Sequence, residues 1–214
     1  MRKRSLSLLD RLITEADSVM RTISNRGHSA GRASPSEGHS EARLSDEEKR
    51  HAAGLMRVNH TGEVCAQALY QGQALTARLP TVREEMRLAA AEEVDHLVWC
   101  RERLRELDSR PSLLNPAWYG LSFALGAVAG AIGDEVSLGF VAATEERVCK
   151  HLRAHLKHLP LDDRKSRLIV QQMLEDEERH GRQALEAGGK QFSPGVKDAM
   201  SAISTLMTES SYHV

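Results

Sequence analysis

The chain has 214 residues, of which 41% are hydrophobic and 28% charged, enough to bury a core and typical of a soluble protein. Its net charge is −1 and it has no basic stripe interleaved with aromatic residues, so nucleic acid is not an expected partner. The three cysteines, Cys65, Cys100 and Cys149, are far apart and form no CxxC pair. This spacing disfavours both a disulfide framework and a thiolate zinc site.

The first 44 residues differ in composition from the rest of the chain. Residues 6–20 carry apolar side chains at helical spacing and predict a short amphipathic helix. Residues 21–43 are rich in Ser, Gly and Arg and predict a disordered linker. The expected division is therefore residues 1–44 as helix and linker, and residues 45–214 as one folded domain.

Start and stop signals predict a helical domain. Ser45 followed by Glu48 forms a capping box, and the helix it opens should end near Arg78, before Pro80. Thr81 and Glu84 form a second capping box, predicting a helix to about Leu107. Further helices are expected over about 134–158 and 162–186, followed by a short helix starting at Ser193–Pro194. No strand-like alternation competes, so the predicted class is all-α.

The segment 113–133 contains no charged residue. Its length permits a membrane-spanning helix, but Asn115, Pro116, Ser122 and four glycines weaken that interpretation. Two alternatives remain. The segment could be a buried crossover that returns the chain along a helical bundle, or its outer face could contact a membrane. The residues predicted to make that membrane contact are Trp118, Tyr119, Leu121, Phe123 and Leu125.

A Glu-x-x-His pair occurs twice, as Glu93 with His96 and as Glu177 with His180. Residues three apart project from one face of a helix, so each pair offers an oxygen and a nitrogen donor together. One such pair is a weak signal, because glutamate and histidine are common on helices. Two copies match ferritin-like four-helix bundles, in which two helices each supply Glu-x-x-His and the other two each supply one Glu.

The two single glutamates required by this arrangement are present upstream. Glu63 precedes Glu93 by 30 residues, and Glu145 precedes Glu177 by 32. Both lie among apolar residues, where a carboxylate is costly unless it is paired or bound to metal. Helical periodicity alone does not choose between Glu145 and the adjacent Glu146.

Charge balance indicates a pair of metal ions. Four carboxylates carry a charge of −4, which two divalent ions would neutralise, whereas an empty site would hold mutually repelling acids. Ions about 3.5–4 Å apart would be bridged by carboxylates, for which Glu93 and Glu177 are the expected residues. The ligand count leaves room for oxygen, which suits dioxygen activation by iron.

The motifs RVNHTGEVCAQALYQGQ, EEVDHLVW, GFVAATEERVCKHL and EDEERH resemble those of the demethoxyubiquinol hydroxylase family of ubiquinone biosynthesis. The resemblance runs from about Ser45 to the C-terminus. It implies a di-iron centre that uses O2 to hydroxylate the ring of 3-demethoxyubiquinol, giving 3-demethylubiquinol. It also implies that Glu145, rather than Glu146, is a ligand. The implied metal ligands are Glu63, Glu93, His96, Glu145, Glu177 and His180, with Glu93 and Glu177 bridging.

The resemblance further implies a location and partners. The substrate is a prenylated quinol held in lipid, so the protein is expected at the cytoplasmic face of the bacterial cell membrane, as a peripheral protein. Other proteins of ubiquinone biosynthesis are possible partners. Two other functions are weighed against this one: a ferroxidase or iron-storage protein with the same di-iron site, and a metal-free helical scaffold at a membrane surface.

Overall fold

A computed structural model describes Thr22 and residues 29–214 of the chain. The amphipathic helix predicted over 6–20 lies outside the described residues. From residue 29 onwards the chain forms helices and no strand, which confirms the all-α prediction. The helices are α1 Asp46–Thr76, α2 Pro80–Glu106, α3 Asn115–Ile132, α4 Asp134–His158, α5 Arg164–Glu186 and α6 Pro194–His213.

The first two helices begin in different ways. The Ser45 hydroxyl accepts a hydrogen bond from the Glu48 N–H, and the Glu48 carboxylate accepts one from the Ser45 N–H, as the predicted capping box requires. The prediction of a second capping box at Thr81 is wrong. Helix α2 instead starts at Pro80 after Leu79, without a side-chain cap. Proline suits this position because its fixed φ is helical and its missing N–H would be unpaired there anyway.

Helix α3 is the crossover that the sequence offered as one interpretation of the uncharged segment. Contacts between α3 and α1 follow the same order along both helices: Asn115 contacts His60, Gly126 contacts Leu69, and Gly130 contacts Gln73. The two helices therefore run parallel. Helix α4 runs the opposite way along α1, since Gln73 donates to the Ser137 carbonyl and His155 contacts Asn59. The crossover thus makes α2 and α4 parallel, the order of a ferritin-like bundle of α1, α2, α4 and α5.

Glycines allow α3 to approach α1 closely. A Cβ added to Gly126 would lie 2.2 Å from the Leu69 carbonyl oxygen, and one added to Gly72 would lie 2.3 Å from the Phe123 carbonyl oxygen. Neither backbone oxygen can yield unless the helices separate. Glycine here permits a backbone-to-backbone contact that any side chain would prevent.

The last helix is longer than expected. The predicted helix is confirmed with its start at Ser193–Pro194, but α6 extends over 20 residues. Its end is fixed to α1, where the Tyr212 hydroxyl lies 2.7 Å from Nδ1 of His51 and the Tyr212 carbonyl accepts a bond from Arg57. The Tyr212 ring lies against Gly54, where any Cβ would overlap it. Helix α6 is therefore fixed to α1 at its C-terminal end.

Residues 29–44, here called the N-terminal arm, also differ from the prediction. They contain no regular helix or strand, yet they lie against the bundle instead of forming a disordered linker. The Glu41 carboxylate accepts two hydrogen bonds from the guanidinium of buried Arg103. Arg32 contacts acids on both α2 and α5. Composition missed this order because a few charged contacts hold the arm in place, and only Ala30 and Leu44 among its apolar residues pack against the main core.

Candidate metal centre

The six residues predicted as metal ligands meet in the interior of the four-helix bundle. Each of the four helices α1, α2, α4 and α5 supplies at least one of them, and none is more than 6% exposed. Charged side chains are rarely buried to this extent unless they are paired or bind a metal. The residues so placed are Glu63, Glu93, His96, Glu145, Glu177 and His180.

Two of the glutamates lie between the two histidines. Nδ1 of His96 lies 2.9 Å from Oε2 of Glu93 and 3.1 Å from Oε1 of Glu177. Nδ1 of His180 lies 3.1 Å from the other oxygen of each, Oε1 of Glu93 and Oε2 of Glu177. Each of these carboxylates therefore presents one oxygen to each histidine, the arrangement required of a bridging ligand.

The single glutamates flank this central group. Oε2 of Glu63 lies 3.7 Å from Nδ1 of His96. Glu145 is buried and accepts a hydrogen bond from the hydroxyl of Tyr70. Its neighbour Glu146 is exposed and pairs with Lys197. The fold thus settles the choice that periodicity left open, with Glu145 on the inner side of α4.

The outer nitrogens of the histidines are held by acids from the opposite helix. Nε2 of His96 on α2 lies 2.9 Å from Oδ2 of Asp176 on α5. Nε2 of His180 on α5 lies 2.7 Å from Oε2 of Glu92 on α2. Such carboxylates orient the imidazole ring, so that its other nitrogen faces the metal, and they raise its basicity.

These two acids were not predicted, although the sequence carries a signal for them. Glu92 directly precedes Glu93, and Asp176 directly precedes Glu177, so both motifs extend to acid-Glu-x-x-His. The Glu-x-x-His part alone predicted the ligands. The repetition of the preceding acid was the available evidence, but its contact across to the other helix requires the folded bundle.

Burial and mutual repulsion perturb the acids strongly. Burial raises the pKa of Glu63 well above its usual range despite a hydrogen bond from His96, with the negative charge of Glu93 adding to the effect. Burial likewise raises the pKa of Glu145, together with the charges of Glu177 and Glu93. Raised pKa values are expected where several buried carboxylates lie close together, because a bound proton or metal ion relieves the repulsion between them.

The central residues show the opposite trend. Burial would raise the pKa of Glu93, but hydrogen bonds from His180 and His96 hold it below its usual range. Burial would lower the pKa of His180, but contacts with Glu177 and Glu93 raise it to about 11. The carboxylates therefore stabilise positive charge at this position, whether it is a proton or a metal ion.

The donor set fits a metal ion. Ligand atoms of Glu63, Glu93, His96 and Glu177 all lie within 4.8 Å of one another. Both oxygens of Glu93 are buried and face histidine nitrogens, Oε2 at 2.9 Å from Nδ1 of His96 and Oε1 at 3.1 Å from Nδ1 of His180. A mixture of carboxylate and imidazole donors suits divalent transition metals. The cluster could therefore hold metal.

Two cavities lie beside the helices that carry the cluster. The apolar pocket, about 140 Å³ in volume, lies between α1, α3, α4 and α6, and its wall includes Gly62 and Thr144, which adjoin Glu63 and Glu145 in sequence. The basic-rimmed cleft, about 540 Å³, lies at α4 and α5 and reaches Glu177, with Arg153, Arg182 and Lys190 among its lining residues. The apolar walls of the first suit a hydrophobic molecule and the second is open to charged solutes.

The residues predicted to contact a membrane are distributed around α3. Trp118, Leu121 and Leu125 line the apolar pocket, and Leu121 is 43% exposed. The prediction is wrong for Tyr119, which is buried because its hydroxyl donates a hydrogen bond to Gln71 on α1. Phe123 stacks beside Tyr119 and is half-buried.

The helices of residues 29–214 include none that is both long and apolar enough to cross a membrane.

Comparison with known proteins identifies the family. The family described as "Ubiquinone biosynthesis protein COQ7" matches residues 50–211. A protein of Pseudomonas syringae pv. syringae (strain B728a), named 3-demethoxyubiquinol 3-hydroxylase, is 58% identical over 212 residues, covering 99% of each chain. A protein of the same name from Azotobacter vinelandii (strain DJ / ATCC BAA-1303) is also 58% identical over 212 residues and 99% of each chain. The chain therefore belongs to the COQ7 family of ubiquinone biosynthesis proteins.

Proposed function

We propose that the protein is a 3-demethoxyubiquinol hydroxylase, an O2-dependent monooxygenase of ubiquinone biosynthesis. The observation that carries this proposal is the buried group of four glutamates and two histidines, in which Glu93 and Glu177 each face both histidines. The name shared by full-length relatives at 58% identity supports the same activity.

The proposed cofactor is a pair of iron ions. One ion would be held by Glu63, Glu93 and His96, and the other by Glu145, Glu177 and His180, with Glu93 and Glu177 shared. The charges support two ions, because four carboxylates in one buried cluster need about that much positive charge. When bound, the irons supply the activation of O2 that hydroxylation of the quinol ring requires.

The chain's own contribution is to orient the ligands and to place the ring. Asp176 and Glu92 fix the outer nitrogens of the histidines. The Tyr70 hydroxyl holds a proton toward Glu145, so that this carboxylate keeps its place when ligands change around it. The apolar pocket reaches the helix turns that carry Glu63 and Glu145, so a quinol ring entering there would arrive beside the cluster.

Substrate entry from a lipid surface follows from the same pocket. The prenylated quinol partitions into lipid, and α3 and α6 place apolar side chains around the pocket and on the outer surface beside it. Leu121 and Ile203 both line the pocket and are 43% and 42% exposed. We place this face against the cytoplasmic side of the bacterial cell membrane, as a peripheral contact that other proteins of ubiquinone biosynthesis could share.

The function is tested by measuring metal content and turnover on one preparation. Protein purified without oxygen and saturated with ferrous salt should retain two irons per chain and, with O2 and a reductant, should hydroxylate 3-demethoxyubiquinol. Two bound irons with iron oxidation but no quinol product would support the ferroxidase instead. Failure to bind any metal would leave the metal-free scaffold and end the proposal.

Membrane contact is tested separately with paired substitutions. Leu121→Glu with Leu125→Glu should reduce binding to vesicles containing anionic lipid at least 10-fold, because each introduced carboxylate must leave water to insert. Leu88→Glu with Leu185→Glu is the matched control, since those leucines are 58% and 41% exposed on α2 and α5. An equal loss of vesicle binding in the two double variants, or no loss in Leu121→Glu with Leu125→Glu, would contradict membrane contact through α3.

A further inference from the structure

The N-terminal arm brings one arginine to the outer side of the metal cluster. Arg32 lies next to α2 and α5 where the two Glu-x-x-His helices pass each other. Its Nε donates to Oδ2 of Asp95 at 2.6 Å, and its Nη1 donates to Oδ2 of Asp176 at 2.8 Å. One guanidinium therefore joins the residue before His96 to the residue before Glu177.

The two acids are nearly buried, whereas the arginine is not. The side chains of Asp95 and Asp176 are 9% and 8% exposed, and that of Arg32 is 42% exposed. Buried carboxylates are costly without a partner, and the arm supplies a positive charge that pairs with both acids. The planar guanidinium of arginine can donate to two carboxylates at once. The compact ammonium group of lysine cannot reproduce that geometry.

Several further contacts fix the position of the guanidinium. The N–H of Gly31 donates to Oδ1 of Asp95 at 2.6 Å, so the arm's backbone binds the same acid. The guanidinium carbon lies 4.9 Å from the centre of the Trp99 ring, within the range of a cation–π contact. Trp99 in turn packs against the His96 ring, with the ring centres 5.4 Å apart.

Asp176 connects this network to the histidine. The oxygen that accepts from Arg32, Oδ2, is the one that lies 2.9 Å from Nε2 of His96. Arg179 also reaches Asp176, but through the other oxygen and at 3.3 Å. Arg32 therefore holds the oxygen that orients His96, and its Nη2 also lies 3.5 Å from Nε2 of His96 itself.

We propose that Arg32 is a positioning residue for His96, acting through Asp176, and that the N-terminal arm is thereby part of the metal centre. The inference rests on the proposed di-iron function, since it concerns the ligand of one of its two ions. The arm begins upstream of residue 50, where the family match starts. It therefore adds a contribution from outside the matched domain.

The effect should be confined to one of the two ions. Removing Arg32 frees Asp176 to move, so the His96 ring loses its fixed orientation, while His180 keeps its own acid, Glu92. Loss of a carboxylate partner behind a ligating histidine typically lowers metal affinity about 10–100-fold. We expect a loss of that size for the ion bound by His96 and less than about 3-fold for the other, because the partner of its histidine is retained.

The test follows iron release from the anaerobically loaded full-length protein. Release of ferrous iron to a chelator should occur in one phase or two closely spaced phases for the parent, and in two phases separated by at least 10-fold for Arg32→Ala. Arg32→Lys should give an intermediate separation between the two phases of iron release. Lysine restores the positive charge but lacks the planar guanidinium that can donate to two carboxylates at once. Arg153→Ala is the matched control, because it removes an arginine whose acid partner, Glu178, is itself 38% exposed.

A second measurement separates positioning from loss of structure. The absorption spectrum of the cobalt-loaded protein should change in Arg32→Ala for one ion's bands only, and Arg32→Ala with Asp176→Ala should release metal no faster than Asp176→Ala alone. Equal weakening of both ions, or additive effects in the double variant, would overturn the inference. If the parent binds two ions and Arg32→Ala behaves identically, this inference fails and the proposed function stands; if the parent binds none, the proposed function itself fails.

Discussion

The two halves of the metal cluster use the same residue types but lie in different surroundings. The first half-site comprises Glu63, Glu93 and His96, and the second comprises Glu145, Glu177 and His180. Behind His96, the side chain of Asp176 is 8% exposed and is covered by the arm. Behind His180, the side chain of Glu92 is 47% exposed and nothing comparable to the arm covers it among the described residues.

The difference shows that a repeated motif does not produce a symmetric site. Helix α3 packs on α1 and the arm crosses α2, so both helices of the first half-site are covered from outside. The second half-site borders the basic-rimmed cleft, which reaches Glu177 and Glu178. Water and small solutes can therefore approach the second half-site through this cleft.

The largest effect is expected where the halves are joined. Glu93→Ala or Glu177→Ala removes a carboxylate that faces both histidines, so both ions and about 1,000-fold or more of the hydroxylation rate should be lost. Iron analysis together with product formation measures this. Glu146→Ala is the control, since this exposed acid neighbours Glu145 without entering the cluster. Retention of two irons in either bridging variant would show that the halves are not joined as described.

The packing of α3 on the first half is tested by a glycine pair. Gly126→Ala places a Cβ 2.2 Å from the Leu69 carbonyl, so the free energy of unfolding should fall by about 3 kcal/mol. Gly120→Ala on the same helix has no atom within 4 Å of the new Cβ, and it should gain about 0.5–1 kcal/mol from helix propensity. Urea unfolding measures both, and equal values would show that close approach to α1 is not required.

The outer acids should differ in importance. Asp176→Ala should weaken binding of one ion about 10–100-fold, whereas Glu92→Ala should weaken the other only a few-fold, because water can replace an exposed carboxylate. Competition with a chelator under anaerobic conditions gives both constants. Comparable losses of metal affinity in the two variants would mean that the burial of Asp176 does not affect metal binding.

The last effect, on stability alone, concerns a bond between α4 and α1. Burial, with nearby histidines His151, His158 and His51, lowers the pKa of His155 to about 4 from its usual 6.5. The unfolded chain therefore binds this proton first as the pH falls, so stability is lost between about pH 6.5 and 4, by about 2 kcal/mol at pH 5.

His155→Gln checks this, since glutamine keeps an N–H donor for Asn59 but does not titrate. The variant should lose less stability than the parent between pH 7 and pH 5, measured by urea unfolding at each pH. Parallel pH profiles for the two proteins would contradict the assignment.

The helices and the inward-facing ligands could be predicted because both depend on local patterns. Capping at Ser45 and the three-residue step from Glu93 to His96 are properties of one helix, and they are readable in the sequence. The start of α2 at Pro80 was missed because two local signals competed, and proline at the first position prevailed over Thr81.

Contacts between distant segments could not be predicted in the same way. Asp176 and His96 become neighbours only when α5 crosses α2, and Arg32 reaches them only when the arm lies on the bundle. Tyr119 was assigned to the outer surface from its residue type, but the rotation of α3 that follows from its glycine contacts turns it toward Gln71. The positions of these side chains depend on packing between helices, which the sequence of one helix does not reveal.

The outer hydrogen bonds cross from each half to the other, since His96 uses an acid of α5 and His180 uses an acid of α2. A single two-helix hairpin could therefore satisfy none of these bonds by itself. Two copies related by a two-fold axis could satisfy all of them, because each would lend the other its acid. A separately expressed half of this chain should therefore need a partner, either a second copy of itself or the other half, before it can form these bonds.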